Sequence, residues 1–293
     1  MSAPLRFLII DGYPRNRRDE LVAAGITPAW KLHVHMLLRH LPNAEYDILF
    51  PCDNDAAIPS GEDLERYDGL IWTGSCLSVT DSGDPRIRVQ IELARCSFEQ
   101  GVPGWGSCWG LQIGAVAAGG EVSANPRGKE VGIARKISQT ADAHQGHPMF
   151  VGKPHVFEAF CIHDDMVSRI PEGGVLLASN SFTQVQALAI AHKKGVLWGT
   201  QYHLEYDLRE ITRMMVLHQE QLIGQGFFSN ADDLSRHADK MEALYKEPHR
   251  KDLRWQLGID DDVLSDDIRQ REFANWIHRL VMPRAAQHGK GEG

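Results

Sequence analysis

Val102-Pro103-Gly104-Trp105-Gly106-Ser107-Cys108-Trp109-Gly110-Leu111-Gln112 is the stretch on which the reading of this chain turns. A short strand ending at Gly106 would run into a sharp turn at Cys108. A helix of small residues, Ile113, Gly114, Ala115, Ala117 and Ala118, would begin there and close at Gly119-Gly120. Glycine on both sides of the cysteine lets two backbone segments crowd around a strained elbow, as in a Gly-x-Ser-x-Gly nucleophile turn. Such an elbow exposes a sulfur at a helix N-terminus, where free N–H groups and the helix dipole favour thiolate over thiol. Taken alone, the segment also fits a structural cysteine between tightly packed glycines.

Outward from this point, the chain alternates strands and helices. Arg6-Phe7-Leu8-Ile9-Ile10 runs into Asp11-Gly12, residues 46–50 end at Pro51, and residues 69–73 end at Gly74. Apolar runs closed by turn residues suit strands covered on both faces. Between the first two, apolar residues at 30, 34, 37, 38 and 41 repeat with the period of an amphipathic helix, and Ile87, Ile91, Ala94 and Phe98 do so again. This alternation predicts βαβ units in an α/β fold with a mainly parallel central sheet, whose ligands bind beyond the carboxyl ends of the strands. From Phe157 the segments 157–162, 175–179, 185–190 and 196–201 are short and separated by turns, which predicts hairpin-like additions to that sheet.

Composition changes along the chain. The first 205 positions carry 41 charged residues and the last 88 carry 29, so the reading is a catalytic domain over 1–205 and a helical C-terminal extension over 206–293, packed on or beside it. Helical stretches are expected at about 208–226, 231–246 and 264–281, with a disordered tail over 289–293. A net charge of −8 with only Arg15, Arg17 and Arg18 clustered argues against a nucleic-acid partner. No apolar run approaches the roughly 18–20 residues that span a bilayer. The apolar N-terminal stretch stops at Asp11, too early for a signal peptide, so no membrane association and a cytoplasmic location are expected.

Five cysteines without a CxxC pair do not form a disulfide or zinc framework. His33 and His35 would face apart on a helix, and His144, His147 and His155 have no acidic partner at ligand spacing, so neither metal nor cofactor is expected.

The second chemical element lies 95 residues beyond the cysteine, where Gln201-Tyr202-His203-Leu204-Glu205 ends an expected strand. His and Glu two apart on extended backbone leave on one face, so Glu205 can orient His203, and His203 can serve Cys108 as base and a leaving group as acid. A serine-type α/β-hydrolase is excluded, because the elbow carries Cys and the acid follows the His.

The chain resembles the class I, triad-type glutamine amidotransferases and is similar to the glutaminase domain of GMP synthase. That family carries a Gly-x-Cys-x-Gly elbow with Gln two residues beyond, and a later Gln-Phe-His-Pro-Glu strand end. Here these stand as Gly106-Ser107-Cys108-Trp109-Gly110 with Gln112, and as residues 201–205. Leu70 to Ser75 with Ser78-Val79, Lys129 to Gly132, and Pro148-Met149-Phe150 through His163-Asp164-Asp165 match weaker landmarks in order.

The resemblance covers about residues 5–205. It implies a flavodoxin-like α/β fold and a Cys108–His203–Glu205 triad that forms a γ-glutamyl thioester. It also implies oxyanion donors from the backbone N–H of Ser75 and Trp109, and substrate contacts at Gln112, Asp164 and Asp165.

Ser75 replaces a common Gly, Leu204 a Pro and Asp164 a Gly, while Trp72, Trp105 and Trp109 are expected either to crowd the site as a receptor for an apolar amine or to be core. Three functions fit: stand-alone hydrolysis of a γ-glutamyl amide, a glutaminase subunit feeding ammonia to a separate synthetase partner, and a non-catalytic binding relative. The extension could cap the site, stabilise the core or make a homodimer.

Overall fold

Phe7, Leu8, Ile9 and Ile10 present no polar side chain to either side, so β1 (Arg6–Ile10) lies inside the sheet, between β2 (Glu45–Leu49) and β3 (Gly69–Trp72). The computed structural model describes residues 4–81 and 83–288. Next to β3 come β4 (Gly104–Ser107) and β11 (Gly195–Thr200), which complete five parallel strands in the order β2-β1-β3-β4-β11. The sheet continues antiparallel through β10 (Ala187–His192), β9 (Gly174–Ser179), β6 (Glu130–Gln139) and β7 (Val156–His163). A separate two-stranded sheet pairs β5 (Glu121–Ala124) with β8 (Asp165–Arg169).

Helices cover both faces. On one side α2 (Ala29–His40), which follows α1 (Arg15–Ala23), packs Val34, Met36 and Leu37 against the sheet. On the other lie α3 (Gly61–Leu64), α4 (Pro85–Gln100) and α5 (Trp109–Ala117). A short α6 (Ala141–His144) precedes β7.

The chain beyond 205 forms α7 (Leu208–Leu217), α8 (Gln219–Gly224), α9 (Ala231–Lys246), α10 (Lys251–Leu257), α11 (Asp261–Leu264), α12 (Asp266–Arg269) and α13 (Arg271–Trp276). A π-helical turn (Ile277–Val281) and α14 (Met282–His288) complete it.

The expected α/β architecture with C-terminal helices is therefore the one observed. Two features differ from the sequence reading. β11 belongs to the parallel half as well as pairing with β10, so it is the pivot between the two halves of the sheet. β6 is the longest strand, yet its Gly132 has φ +87° and its Lys136 φ +49°, irregularities that interrupt a strand-like pattern.

The charge-rich C-terminal part also supplies residues to the core. Phe273, Trp276, Ile277 and Val281 are fully buried in the same cluster as Phe7 of β1 and Trp105 of β4. The tail 289–293 lies outside the described residues. Among those residues no helix is long and apolar enough to cross a membrane.

Candidate active site

At the carboxyl end of β4 the chain turns in one residue. Cys108 takes φ 49° and ψ −98°, a conformation that costs a non-glycine residue free energy and persists only when its surroundings enforce it. Both flanking glycines are required by contact. A Cβ on Gly106 would stand 2.5 Å from the Gly110 carbonyl carbon, and one on Gly110 would stand 2.5 Å from Trp72 Cβ. The strand thus overlaps the helix that follows it, and α5 rests directly on β3. The Cys108 N–H donates to the Thr200 carbonyl of β11 at 2.7 Å, which fastens the elbow to the strand that leads to His203. Trp109 is the first residue of α5, so its N–H has no partner within the helix.

His203 and Glu205 lie just beyond β11 and leave on one side, as their spacing predicts. Nδ1 of His203 donates to Glu205 Oε1 at 2.7 Å, while Nε2 is buried without a hydrogen-bond partner among the described residues. Burial by itself would lower the pKa of this imidazole. The charges of Glu205 and Cys108 outweigh it and push the value up to about 10. Burial likewise opposes ionisation of Glu205, but the charge and hydrogen bond of His203 bring its pKa down to about 2. Tyr206 stacks on the His203 ring, with centroids 4.2 Å apart and planes 5° from parallel.

His33 was weighed in the sequence only as a metal ligand, and its position explains it differently. It is fully buried beneath the elbow, with Nδ1 2.9 Å from the Ala29 carbonyl and Nε2 3.1 Å from Ser107 Oγ and 3.9 Å from Glu205 Oε1. A carbonyl can only accept, which assigns the proton to Nδ1 and leaves Nε2 to accept from the Ser107 hydroxyl. Burial lowers its pKa, consistent with this neutral tautomer. Among the described residues no cluster of three or more His, Cys, Asp or Glu could hold a metal.

In front of Cys108 opens a cavity of about 410 Å³ that Ser75, Trp109, Gln112, Asp164 and Asp165 all line. The structure thus gathers Cys108 and these five sequence-named residues around one space, with His203 and Glu205 behind it. Ser75 Oγ donates to the Gly12 carbonyl at 2.8 Å and accepts from Leu77 N–H, so the serine fastens its own loop to the end of β1. Gln112 Nε2 donates to the Asp165 carbonyl and to Gln201 Oε1, both at 3.1 Å. Gln201 Nε2 in turn donates to Cys108 Sγ at 3.3 Å. Gln201 stood in the strand-end motif without an assigned role; only the tertiary contact gives it one.

Asp164 is paired with Lys129 Nζ at 2.5 Å, and Asp165 accepts from Ser78 Oγ. Below them His163 bridges the Asp165 carbonyl and Glu130. The tryptophans do not form an aromatic receptor. Trp72 and Trp105 are buried in cores on opposite faces of the sheet, and Trp109 reaches the cavity while its indole N–H donates to Gln90. Further parts of the wall come from Cys76, Leu77 and Ile162, from Tyr13 and Arg17, and from three residues beyond position 205, Met214, His218 and Gln221.

The family model for glutamine amidotransferase class-I matches residues 33–219. A γ-glutamyl-L-1-hydroxyisopropylamide hydrolase from Pseudomonas sp is 30% identical over 290 residues, covering 96% of this chain and 95% of that protein. A glutamine-hydrolysing GMP synthase from Clostridium novyi (strain NT) is 34% identical over 228 residues, 76% of this chain but only 40% of the synthase. Among solved structures, a glutamine amidotransferase from Thermotoga maritima superimposes with a TM-score of 0.62 at 19% identity, covering 92% of this chain and 99% of that one. A glutamine amido transferase from Methylobacillus flagellatus gives 0.61 at 21%, over 93% and 94%. These two share the fold. The elbow, the strand end and the matched span together place the chain in the glutamine amidotransferase class-I family.

Proposed function

We propose that this protein is a stand-alone hydrolase of γ-glutamyl amides, releasing glutamate and a small amine through a thioester on Cys108. The observation that carries this is the cavity before Cys108, whose outer wall is built by Met214, His218 and Gln221 from this chain's own C-terminal helices. In support, similarity to the Pseudomonas hydrolase runs through those helices, whereas the GMP synthase match covers less than half of that enzyme.

In the proposed reaction the Cys108 sulfur attacks the γ-carbonyl carbon while its proton resides on His203. The oxyanion is met by the N–H groups of Trp109 and Ser75. Collapse breaks the C–N bond, and His203 Nε2 gives its proton to the departing nitrogen. Water, deprotonated by His203, then attacks the thioester, and the sulfur leaves as glutamate forms. Glu205 keeps the ring oriented through both steps. The zwitterionic end of a γ-glutamyl group needs an anion and a cation side by side, which Asp164 and Lys129 supply at the cavity rim, with Asp165 and Gln112 behind them. The amine portion would face Arg17 and α7–α8.

The test is glutamate release by the purified chain from glutamine and from γ-glutamyl alkyl amides, with Cys108→Ala as the blank. Cys108-dependent turnover of substituted amides well above glutamine is expected. Turnover of glutamine alone, or none until a synthetase is added, would support the ammonia-delivering function instead.

A further inference from the structure

The residues on either side of His203 are both held by the C-terminal helices. Tyr202 is fully buried and its hydroxyl donates to Glu272 Oε1 of α13 at 2.7 Å. The Leu204 carbonyl accepts from Arg269 Nε, at the end of α12, at 3.2 Å. His203 itself donates its N–H to the Phe160 carbonyl at 2.8 Å, and the Arg269 guanidinium lies 5.7 Å from the Phe160 ring.

These grips are themselves anchored. Glu272 Oε2 pairs with Lys153 Nζ at 2.9 Å, and Lys153 also donates to the Ile268 and Arg269 carbonyls. Arg269 donates onward to the Val263 carbonyl and pairs with Asp266. The side chains of Lys153, Glu272 and Arg269 are almost completely buried. A buried ionic cluster is poor evidence of stability, since desolvation offsets most of its attraction, but it does specify one arrangement.

We infer that Arg269 and Glu272 are positioning residues for the catalytic histidine: the C-terminal helices form a brace that sets the His203 backbone from both sides. The inference rests on the hydrolase reading above for the role of His203. It accounts for a departure from the family pattern. Where proline usually stiffens the link between His and Glu, this chain has Leu204, and a guanidinium holding its carbonyl restores the restraint that the ring would have given. With the loop loosened, Nε2 would sample positions away from Cys108 and Nδ1 would hold Glu205 less well. Misplacement of about 1 Å can cost about 10²-fold in rate.

The experiment compares full-length wild type with Tyr202→Phe, Arg269→Met, Arg269→Lys and Asn275→Ala. Asn275 serves as control because it ties α13 to the Met149 and Val151 carbonyls, a link that does not run through residues 202–205. Tyr202→Phe removes one oxygen and retains the packing. Tyr202→Phe and Arg269→Met should lower kcat about tenfold, with KM within about twofold, and move the alkaline limb of the pH profile down. Arg269→Lys should recover most of that loss, and Asn275→Ala should lower only the melting temperature.

Equal kcat and pH profile in Tyr202→Phe and wild type, or an equal kcat loss in Asn275→Ala, overturns the brace. The ¹⁵N and ¹H resonances of the His203 ring, recorded without substrate, separate the two readings. They should move in Tyr202→Phe and stay in Asn275→Ala; unmoved signals in Tyr202→Phe refute the brace even if no γ-glutamyl amide is ever turned over.

Discussion

Replacing Glu205 by Gln removes one negative charge 2.7 Å from His203 Nδ1 while preserving size. The His203 pKa stands at about 10 against an ordinary 6.5, a difference worth about 5 kcal/mol at about 1.4 kcal/mol per pH unit. Two unit charges at that separation attract by about 6 kcal/mol at an effective dielectric constant of about 20. The carboxylate is therefore large enough to be the main support of the imidazolium. Without it, burial continues to oppose the charge and Cys108 alone favours it, so the pKa should fall to 6.5 or below.

At pH 7 less than about a quarter of the rings would then carry the proton that the departing amine needs. A Gln amide can also present its NH₂ to Nδ1 and select the wrong tautomer, which in a comparable triad costs about 10⁴ in kcat. The expected loss is between about 10² and 10⁴ in kcat, with the alkaline limb displaced to lower pH. Steady-state rates from pH 5 to about 10.5 on a γ-glutamyl amide measure both. An alkaline limb at the same pH in the two proteins would refute the assignment of Glu205 as the group that charges His203.

The same pair ties stability to pH. The raised His203 contributes fully below 6.5 and loses its contribution as pH climbs toward about 10; the depressed Glu205 contributes fully above 4.5 and loses it as pH falls toward about 2. Thermal melts should therefore fall off more steeply between about pH 6.5 and about 10 in wild type than in Glu205→Gln.

Three further substitutions probe other parts of the structure. Gly110→Ala drives a methyl group to 2.5 Å from Trp72 Cβ; it should cost about 1–3 kcal/mol by overpacking and remove most activity as α5 shifts, read by urea midpoint and kcat together. Asp164→Asn should raise KM for γ-glutamyl amides about tenfold, the loss of one charged contact, with kcat little changed; an unaltered KM takes Asp164 out of substrate binding. Trp276→Ala empties a fully buried site against Phe7, Trp105 and Phe273 and should cost about 3–5 kcal/mol, visible as a lowered melting temperature. A drop no larger than that of an exposed substitution would mean that the C-terminal helices do not share the core.

Much of the candidate site was readable because its chemistry is local. The elbow needs glycines at fixed offsets from Cys108, and His203 and Glu205 meet because side chains two apart on extended backbone share a face; the structure shows both as expected. For Trp72 and Trp105 the sequence left receptor and core both open, for the opposite reason. Proximity to the elbow in sequence does not say which face of the sheet a strand residue takes, and alternation along β3 and β4 sends these indoles into the two cores.

The sequence by itself determined the strand–elbow–helix unit, the His–Glu pair and the α/β alternation, because periodicity and turn chemistry act over a few residues. Only the tertiary structure decided that His33 sits under the elbow, that Gln201 reaches the Cys108 sulfur, and that Arg269 and Glu272 grip the neighbours of His203. Those contacts join residues 65 to 93 positions apart. They arise from how whole helices dock on the sheet. Averaged charge density over the last 88 residues hides the few apolar and ionic side chains that make that docking specific.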